Sequence, residues 1–473
     1  MHTIEQIFIN GEFVTPHGTE RFDLYNPATA QVIGQVRLAD EVDAERAIAA
    51  AKAAFPAWSQ TTKQERIAAL KRMHAAVAAR HDALLEAVIE EYGAPASRSA
   101  WMASYPAEVI AQAIEALEAF EFVTSAGAAT VQMTPLGVAG LITPWNSDAG
   151  FICGKLAAAL AAGCTAVIKP SEMSALQTQI VTEALRDAAL PPGVFNIVTG
   201  RGETVGETLS RHPDVAKISF TGSTNTGKAI LRNAAESFKR VTLELGGKSP
   251  TILLDDVDLE QAIPLVIQAG FMNSGQACVA GTRILVPYSR KAEIETALAQ
   301  AVAAVKSGDP RNSTTDVGPM VSEKQWLRVQ GYIRKGIEEG ARLLAGGEGR
   351  PEGTRDGWFV RPTLFAGVNN RMTIARDEIF GPVLCVIPYQ DEAEAIAIAI
   401  ANDTEYGLSA MVLGGDVDRA RRVAQQIVSG RVLVNTLAHE PKAPFGGFKH
   451  SGVGREMGEW GIRAFMEPRS VLG

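Results

Sequence analysis

The feature that most constrains this chain is a regular alternation of apolar runs with helical segments, which begins at Gly137. Strand-like runs occupy 138–142, 166–168, 194–198 and 215–220, and helical spacing occupies 148–162 and 175–188. Strands that alternate with helices form a parallel sheet through right-handed crossovers. Ligands of such sheets bind outside the carboxyl ends of the strands. The pattern therefore predicts an α/β fold with a binding crevice along that edge.

The remainder of the chain predicts a second α/β unit and a different beginning and end. A second alternating region runs from 251 to 434, and the 473 residues exceed the ~250–300 that one core accommodates. We therefore expect two α/β domains with a cleft between them, which is a common place for a ligand. The segments 40–55, 64–91 and 107–122 predict helices after a short strand-rich start. The final segment, 463–472, predicts an exposed strand of the kind that pairs with another subunit.

Charge and hydropathy exclude some partners. The net charge of −8 provides no basic excess to neutralise phosphates, so we expect no nucleic-acid partner. The most apolar stretch, 156–162, falls far short of the ~20 residues of a membrane span. The first residues show no basic region followed by an apolar run, so no signal peptide is expected. These patterns predict a cytoplasmic protein with no membrane partner.

The four cysteines are Cys153, Cys164, Cys278 and Cys385. They are widely spaced and include no C-x-x-C pair, so the sequence predicts neither a metal site nor a disulfide framework. Taken without its context, each of them is most simply a buried, reduced thiol.

A strand–turn–helix at Phe220, Gly222 and Ser223 could hold a phosphate group. Glycine lets the backbone approach closely, and the helix that follows offers free N–H groups and a positive dipole end. A tight turn with no ligand would show the same pattern, so both interpretations stay open. Gly200 and Gly202 form a second cluster, whose spacing misses the usual dinucleotide fingerprint.

Two charged residues follow the strand at 166–168. Lys169 could hydrogen-bond ribose hydroxyls, and Glu172 could bind the 2′-hydroxyl of an adenosine ribose and repel a 2′-phosphate. The alternative is a charged surface loop.

Three further residues have the chemistry of an acyl-transfer site. Cys278 follows a stretch of small residues near the end of a predicted helix, and a thiolate is a strong nucleophile. Glu244 precedes a flexible glycine pair, and Asn146 follows a strand, where its amide could donate to an oxyanion. Each of them alone is more often structural, and their joint presence favours a catalytic function.

These motifs resemble those of the aldehyde dehydrogenase superfamily, and the resemblance covers nearly the full length of the chain. The matching blocks are TPWN at 143–146, KPSE at 169–172, FTGST at 220–224, LELGGKSP at 243–250, GQAC at 275–278, EIFGPV at 378–383 and PFGGFKHSGVGRE at 444–456.

The resemblance implies a hydrolytic, NAD(P)-dependent enzyme that uses NAD, with NADP also possible. It implies that Cys278 is the nucleophile, that Glu244 is the base that activates water, and that Asn146 is the side-chain half of the oxyanion hole. Lys155 and Glu456 match a pair that supports the base. The cofactor-binding set it implies comprises Thr143, Trp145, Lys169, Ser171, Glu172, Gly202, Gly206, Phe220, Gly222, Ser223, Gly246, Glu378 and Phe380.

The resemblance also implies a domain organisation. It assigns 1–120 and 137–246 to a Rossmann-type NAD(P)-binding domain, 247–440 to an α/β catalytic domain, and 121–136 and 455–473 to oligomerisation strands of a homodimer or homotetramer. The alternatives are an acyl-CoA-forming enzyme, an esterase-like enzyme and a catalytically idle binding protein on the same fold. The presence of Cys278 and Glu244 favours the hydrolytic enzyme.

The substrate side departs from the family pattern. We expect Ser147, Phe151, His439 and Phe445 to contact the aldehyde. Ser147 and His439 stand where many relatives carry aromatic residues, although His439 could equally be a surface histidine. A wider, more polar channel is therefore expected. Neither 147–150 nor 437–443 contains an arginine that could pair with a carboxylate, so this interpretation disfavours short semialdehydes.

Overall fold

The structure is a computed structural model that describes residues 1–354, 356–390 and 394–473. Its strands are β1 His2–Ile4, β2 Ile7–Ile9, β3 Glu12–Val14, β4 Arg21–Asn26, β5 Gln31–Arg37, β6 Val123–Ala126, β7 Ala129–Pro135, β8 Val138–Ile142, β9 Thr165–Lys169, β10 Phe195–Ile197, β11 Val215–Thr221, β12 Arg240–Glu244, β13 Pro250–Leu253, β14 Arg283–Pro287, β15 Arg342–Ala345, β16 Thr363–Ala366, β17 Val383–Tyr389, β18 Ser409–Leu413, β19 Arg431–Val434, β20 Gly452–Val453 and β21 Met466–Val471.

The α-helices alternate with these strands over most of the chain. They are α1 Glu41–Ser59, α2 Lys63–Ala78, α3 His81–Ala87, α4 Ala96–Ala119, α5 Asp148–Ala162, α6 Ala175–Asp187, α7 Glu207–Arg211, α8 Thr224–Ala235, α9 Leu259–Phe271, α10 Lys291–Ala304, α11 Glu323–Glu338, α12 Thr373–Arg376, α13 Glu394–Asn402, α14 Val417–Ala424 and α15 Gly458–Arg463.

The larger sheet has the strand order β20-β12-β11-β8-β9-β10-β2-β3. Its central strands, β12 to β10, are mutually parallel, so their carboxyl ends meet at one edge. The two ends of the sheet are closed by antiparallel pairing, of β20 with β12 and of β2 with β10. The sequence prediction of a parallel sheet in this region is confirmed.

A second sheet, ordered β15-β16-β17-β14-β13-β18-β19, lies in the second alternating region. All of its pairings are parallel except that of β15 with β16. A third sheet of only three strands, β21-β7-β6, brings the end of the chain against residues 129–135. The predicted strand at 463–472 is confirmed as β21 from Met466, whereas Arg463 ends α15 and a turn separates the two.

The helix α5 is the central packing element of the larger sheet. Its residues are almost all buried, since leucines, alanines and glycines let it lie closely between α4 and the strands. Its first turn follows Asn146 and its second carries Lys155, so this buried helix positions two of the predicted site residues.

Two of the predicted helical segments have different bounds in the structure. The helical segment 64–91 is divided, because the chain leaves helical geometry at Arg80 and the last turn stops at Gly93, whose φ is 77°. The helix predicted at 107–122 begins at Ala96, after Pro95, and continues through Pro106. Across the described ranges, no helix combines the length and apolar character needed to cross a membrane.

Candidate active site

A sharply turned segment carries Cys278. The chain leaves α9 at Phe271, and Asn273, Ser274 and Gly275 then take left-handed φ values of 55°, 58° and 75°. Such strain in residues other than glycine is characteristic of functional sites. A Cβ on Gly275 would lie 2.2 Å from the carbonyl carbon of Gly381, so the turn also requires glycine for close packing. Cys278 is half-buried, whereas the other three cysteines are fully buried.

Asn146 lies against the same segment. Its Nδ2 donates to the carbonyl of Gln276 at 3.0 Å, and Nδ2 of Asn273 donates to the carbonyl of Asn146 at 3.1 Å. Gln276 is itself held where its Oε1 accepts from the backbone N–H of Val321. These contacts fix the amide of Asn146 two residues from Cys278, as an oxyanion donor requires. Sequence reasoning missed Asn273 and Gln276, since contacts over 127 and 130 residues leave no local pattern.

Glu244 ends β12 and is only 2% exposed. Neither carboxylate oxygen has a hydrogen-bond partner among the described residues. Burial raises the pKa of Glu244 well above its ordinary value; Glu456 adds to this, and Lys155 and Arg455 oppose it. A buried carboxyl with no partner and an elevated pKa is suited to accept a proton.

The predicted pair of Lys155 and Glu456 is brought together by the fold. Lys155 Nζ lies 2.5 Å from Glu456 Oε1 and donates to Ser219 Oγ at 2.9 Å. The hydroxyl of Ser219 in turn donates to Glu456 Oε1 at 2.9 Å. Ser219 is a member that sequence reasoning missed, since its position in β11 is apparent only once the sheet is assembled.

Burial also acts on the nucleophile. It raises the pKa of Cys278 to about 12, with the carboxylates of Glu378 and Glu244 adding to the rise and Arg431 opposing it. The thiol is therefore protonated at neutral pH. A nearby base that takes this proton would generate the nucleophilic thiolate.

The carboxyl end of β9 presents the predicted ribose-binding residues. Lys169 Nζ lies 3.3 Å from Glu172, and Arg201 lies 3.2 Å from the other oxygen of that carboxylate. Burial tends to raise the pKa of Glu172, but Lys169 and the other donors bring it below its ordinary value, so Glu172 is ionised. Ser171 is buried, and its hydroxyl accepts from the N–H of Met173.

The turn after β11 places Gly222 and Ser223 beside Glu244. The N–H of Gly222 donates to the carbonyl of Glu244 at 3.0 Å, and Ser223 caps α8 by accepting from the N–H of Thr226. A Cβ on Gly222 would lie 2.4 Å from the ring of Phe220, so the turn requires glycine. The start of α8 thus lies at the same edge of the sheet as the carboxyl end of β9.

Glu378 and Phe380 approach this edge from the second α/β region. Glu378 Oε1 accepts from the N–H of Gly247 at 2.9 Å, and a Cβ on Gly246 would lie 2.5 Å from Oε2. Burial raises the pKa of Glu378 to about 7. The ring of Phe380 lies edge-on to Trp145, with 5.5 Å between centroids.

The remaining predicted cofactor residues lie along the same parallel strands. Thr143 follows β8, where its hydroxyl donates to Asp148 at 2.8 Å, so this side chain is already engaged. Gly202 and Gly206 begin and end a turn of π-helix after β10. Gly202 is exposed and Gly206 is buried.

The predicted substrate residues lie on two sides of the site. Phe151 and Phe445 line a cavity together with Tyr105, Lys155 and Glu456. Ser147 is half-buried at the same place: a Cβ on Gly150 would lie 2.6 Å from Tyr105 and 3.2 Å from Ser147 Oγ.

His439 is exposed, and its pKa is lowered by partial desolvation and by Arg431. The Arg431 guanidinium lies over the ring of Phe445 at 5.9 Å. Sequence reasoning missed both Tyr105 and Arg431, because α4 and β19 are far in sequence from the substrate motifs.

Comparison with known proteins agrees with this geometry. The aldehyde dehydrogenase family model matches residues 13–471. The chain is 44% identical to a 3-succinoylsemialdehyde-pyridine dehydrogenase from a Pseudomonas species, over 100% of this chain and 99% of that protein. It is 45% identical to a putative aldehyde dehydrogenase of Staphylococcus haemolyticus, with the same coverage.

Solved structures give the same result. Aldehyde dehydrogenase C of Pseudomonas syringae, a mutant in complex with NAD⁺ and octanal, has a TM-score of 0.97 at 43% identity and covers 100% of this chain and 97% of that one. A Mycobacterium tuberculosis aldehyde dehydrogenase complexed with NAD⁺ has a TM-score of 0.95 at 41% identity, with coverages of 99% and 98%. The resemblance and the fold class inferred from the sequence are confirmed, and the chain belongs to the aldehyde dehydrogenase family.

Proposed function

We propose that the chain oxidises an aldehyde to the carboxylic acid with NAD⁺, through a thioester on Cys278 that water hydrolyses with Glu244 as general base. One observation carries the proposal. A buried carboxyl with no hydrogen-bond partner, Glu244, acts electrostatically on Cys278, the one of the four cysteines that is not fully buried. A nucleophile and a base in one cleft are the two components that thioester formation and hydrolysis require.

In the first half of the reaction, Cys278 Sγ attacks the carbonyl carbon and the aldehyde oxygen becomes an oxyanion. The amide of Asn146 already has one N–H directed to the carbonyl of Gln276, and its second N–H is available to the oxyanion. The family resemblance implies that the backbone N–H of Cys278 would be the second donor to the oxyanion. Two fixed donors stabilise the developing charge without reorganisation.

In the second half, Glu244 takes a proton from the water that attacks the thioester. Lys155 and Glu456 act as positioning residues, because their ion pair adjusts the pKa of Glu244. Hydrolysis returns Cys278 as the thiol and releases the carboxylic acid.

The residues present fit a dinucleotide. A side chain at Gly222 would clash with Phe220, and a side chain at Gly246 would clash with Glu378. The N-terminus of α8 follows Gly222. Lys169 and Glu172 would hold the adenosine ribose, and Glu378 and Phe380 the nicotinamide end. When bound, NAD⁺ supplies the hydride acceptor for the oxidation. The ionised Glu172 favours NAD over NADP, because it would repel a 2′-phosphate.

The relatives support the cofactor and the type of substrate. The P. syringae and M. tuberculosis structures contain NAD⁺, and the Pseudomonas relative is named for a semialdehyde that carries a pyridine ring. We propose that the substrate here is an aromatic or branched aldehyde with a polar group. The half-buried Ser147 and the cavity lined by Phe151 and Phe445 would provide the wider channel.

We also propose a domain organisation, an oligomeric state and a cellular compartment for the protein. The two large sheets would form the cofactor and catalytic domains inferred from the sequence, and the sheet β21-β7-β6 would join subunits of a homodimer or homotetramer. Four free thiols agree with a reducing compartment, which favours the cytoplasm.

Rapid mixing of Glu244→Gln with NAD⁺ and an aldehyde tests this mechanism. The variant should release a burst of about one NADH per site and then turn over at least ~100-fold more slowly, because only hydrolysis needs the base. Cys278→Ala should show neither burst nor turnover while retaining NAD⁺ binding, and Glu338→Gln on α11 is the surface control. A Glu244→Gln variant without a burst would place Glu244 in thiol activation. Faster NADH formation by the parent enzyme with coenzyme A would favour the acyl-CoA-forming alternative.

A further inference from the structure

Arg431 stands apart from the residues assigned so far. It begins β19, and its Nε donates to Ser409 Oγ in the neighbouring strand β18 at 3.3 Å. Its guanidinium lies 5.9 Å from the centre of the Phe445 ring. It also acts electrostatically on Cys278 and on Tyr105. Arg431 is therefore a cation that lies near the Phe445 ring and acts electrostatically on Cys278.

This cation has no carboxylate partner within the part of the chain that the structure describes; its polar contact there is the hydroxyl of Ser409. Other arginines of the same α/β region are paired differently: Arg376 contacts Asp403 at 3.0 Å, and the buried Arg283 donates to several carbonyls. Desolvation of an unpaired charge is costly, so an arginine in this position is expected to have an anionic partner.

A second arginine on the same side shows the same deficit. Arg98 Nε is buried without a hydrogen-bond partner, and its guanidinium lies 3.8 Å above the ring of Trp101. Arg98 also acts electrostatically on Tyr105, which lines the substrate-side cavity. Arg431 and Arg98 thus both act electrostatically on one substrate-side tyrosine, on which the carboxylates of Glu456 and Glu108 also act.

We propose that the aldehyde substrate carries a carboxylate and that Arg431 binds it. This inference rests on the proposed function and specifies the polar group of its substrate. A guanidinium presents a planar fork of donors that matches a carboxylate, and the bound anion would supply the missing counter-charge. Phe445, under the guanidinium, would pack against the body of the substrate. The carboxylate takes no part in bond making, so the chemistry at Cys278 is unchanged.

The proposal alters one expectation from the sequence. The absence of arginine from 147–150 and 437–443 disfavoured carboxylated substrates. Strand β19 supplies an arginine from outside both segments. The aromatic, polar substrate inferred from the channel then becomes an aromatic or branched aldehyde with an acidic group.

Matched substrate pairs test the proposal. The first pair is 4-formylbenzoate with 4-formylbenzamide, and the second is succinate semialdehyde with its amide. NADH formation is measured for the parent and for the variants Arg431→Gln, Arg431→Lys and Arg421→Gln. The parent should prefer one or both carboxylates by kcat/KM. For Arg431→Gln, kcat/KM on the preferred carboxylate should fall about 10–100-fold, mainly through a higher KM. The fall in kcat/KM on its amide should be at least tenfold smaller. Arg431→Lys should recover part of the preference, and the exposed Arg421→Gln should match the parent.

Two results would overturn the proposal. One is a parent enzyme with no preference for either carboxylate over its amide. The other is an equal loss on acid and amide in Arg431→Gln, which would place Arg431 in support of the thiol or the fold. The pH dependence of Cys278 alkylation by iodoacetamide would then test for support of the thiol, and the thermal midpoint would test for support of the fold. Failure of the proposed function is distinct, because no aldehyde would then give NADH with the parent.

Discussion

At the residue scale, burial and mutual repulsion oppose the ionisation of the two predicted reacting groups, Cys278 and Glu244. Burial raises the pKa of the Cys278 thiol to about 12 and that of Glu244 well above its ordinary value. Each group opposes ionisation of the other because two negative charges in one buried cleft repel. When Glu244 is ionised, transfer of the thiol proton to it exchanges a carboxylate for a thiolate, so the cleft carries one negative charge before and after the transfer.

The elevated pKa of Glu244 predicts the pH dependence of thioester hydrolysis. Below that pKa the carboxyl is protonated and cannot accept a proton from water, so the hydrolysis rate should rise with pH through it. Glu456 raises the pKa of Glu244 and Lys155 lowers it, so Glu456→Gln should move the midpoint to lower pH and Lys155→Met to higher pH. Single-turnover decay of the thioester against pH measures both shifts. A flat profile, or midpoints that move the opposite way, would remove Glu244 from the hydrolytic step.

At the element scale, a carboxylate distant in sequence fixes one helix of the cofactor side. Glu91 is 2% exposed, and its two oxygens accept from the N–H groups of Leu176 and Gln177 at 2.8 and 2.9 Å. These are two of the first three backbone donors of α6, which follows Lys169 and Glu172. Glu91 therefore caps α6 from outside the helix and ties the loop that carries the ribose-binding residues to residues 88–92.

Replacing Glu91 should weaken the fold more than replacing its neighbour. Glu91→Ala leaves two buried N–H groups unpaired, which should lower the free energy of unfolding by roughly 2–4 kcal/mol. Glu91→Gln keeps one acceptor and should lose less. Glu90→Ala is the control, because Glu90 is partly exposed and its ion pair with His2 lies at the surface. Urea unfolding measures the differences, and equal midpoints for Glu91→Ala and Glu90→Ala would contradict the capping role.

At the scale of the whole molecule, the three-stranded sheet β21-β7-β6 is the most exposed β structure. Every residue of β6 is exposed, and Val123 and Val471 are 58% and 47% exposed on the two outer strands. Outer strands with free backbone groups and exposed valines favour pairing with another chain. The proposed subunit interface lies here.

Charges placed on these strands should weaken the assembly. The double variant Val123→Glu, Val471→Glu should shift the protein to a smaller oligomer, because burying a carboxylate in an interface is unfavourable. Val417→Glu, at an exposed position on α14, is the matched control. Light scattering after size exclusion gives the masses. A parent that is monomeric, or a double variant with the parent's mass, would exclude this interface.

The sequence alone determined the architecture and the chemistry of the principal site residues. The alternation from Gly137 predicted a parallel sheet, whose strands present their carboxyl ends at one edge, and Lys169 and Gly222 follow two of the predicted strands. Glu244 lies at the same edge because β12, a strand that the sequence patterns did not predict, pairs parallel with β11. The joint presence of the motifs around Cys278, Glu244 and Asn146, together with the family resemblance, predicted Cys278 as the nucleophile, and this role stays a prediction.

Only the tertiary structure decided which distant groups share an environment. The contact of Lys155 with Glu456 spans 301 residues and requires β20 to pair antiparallel with β12. Ser219 joins that pair because β11 lies beside β12 in the sheet. Arg431 reaches the substrate side through β19, far from the motifs that define it. Periodicity and local motifs reveal which face a residue occupies, but the order of strands sets which faces meet, and that order depends on packing across the whole chain.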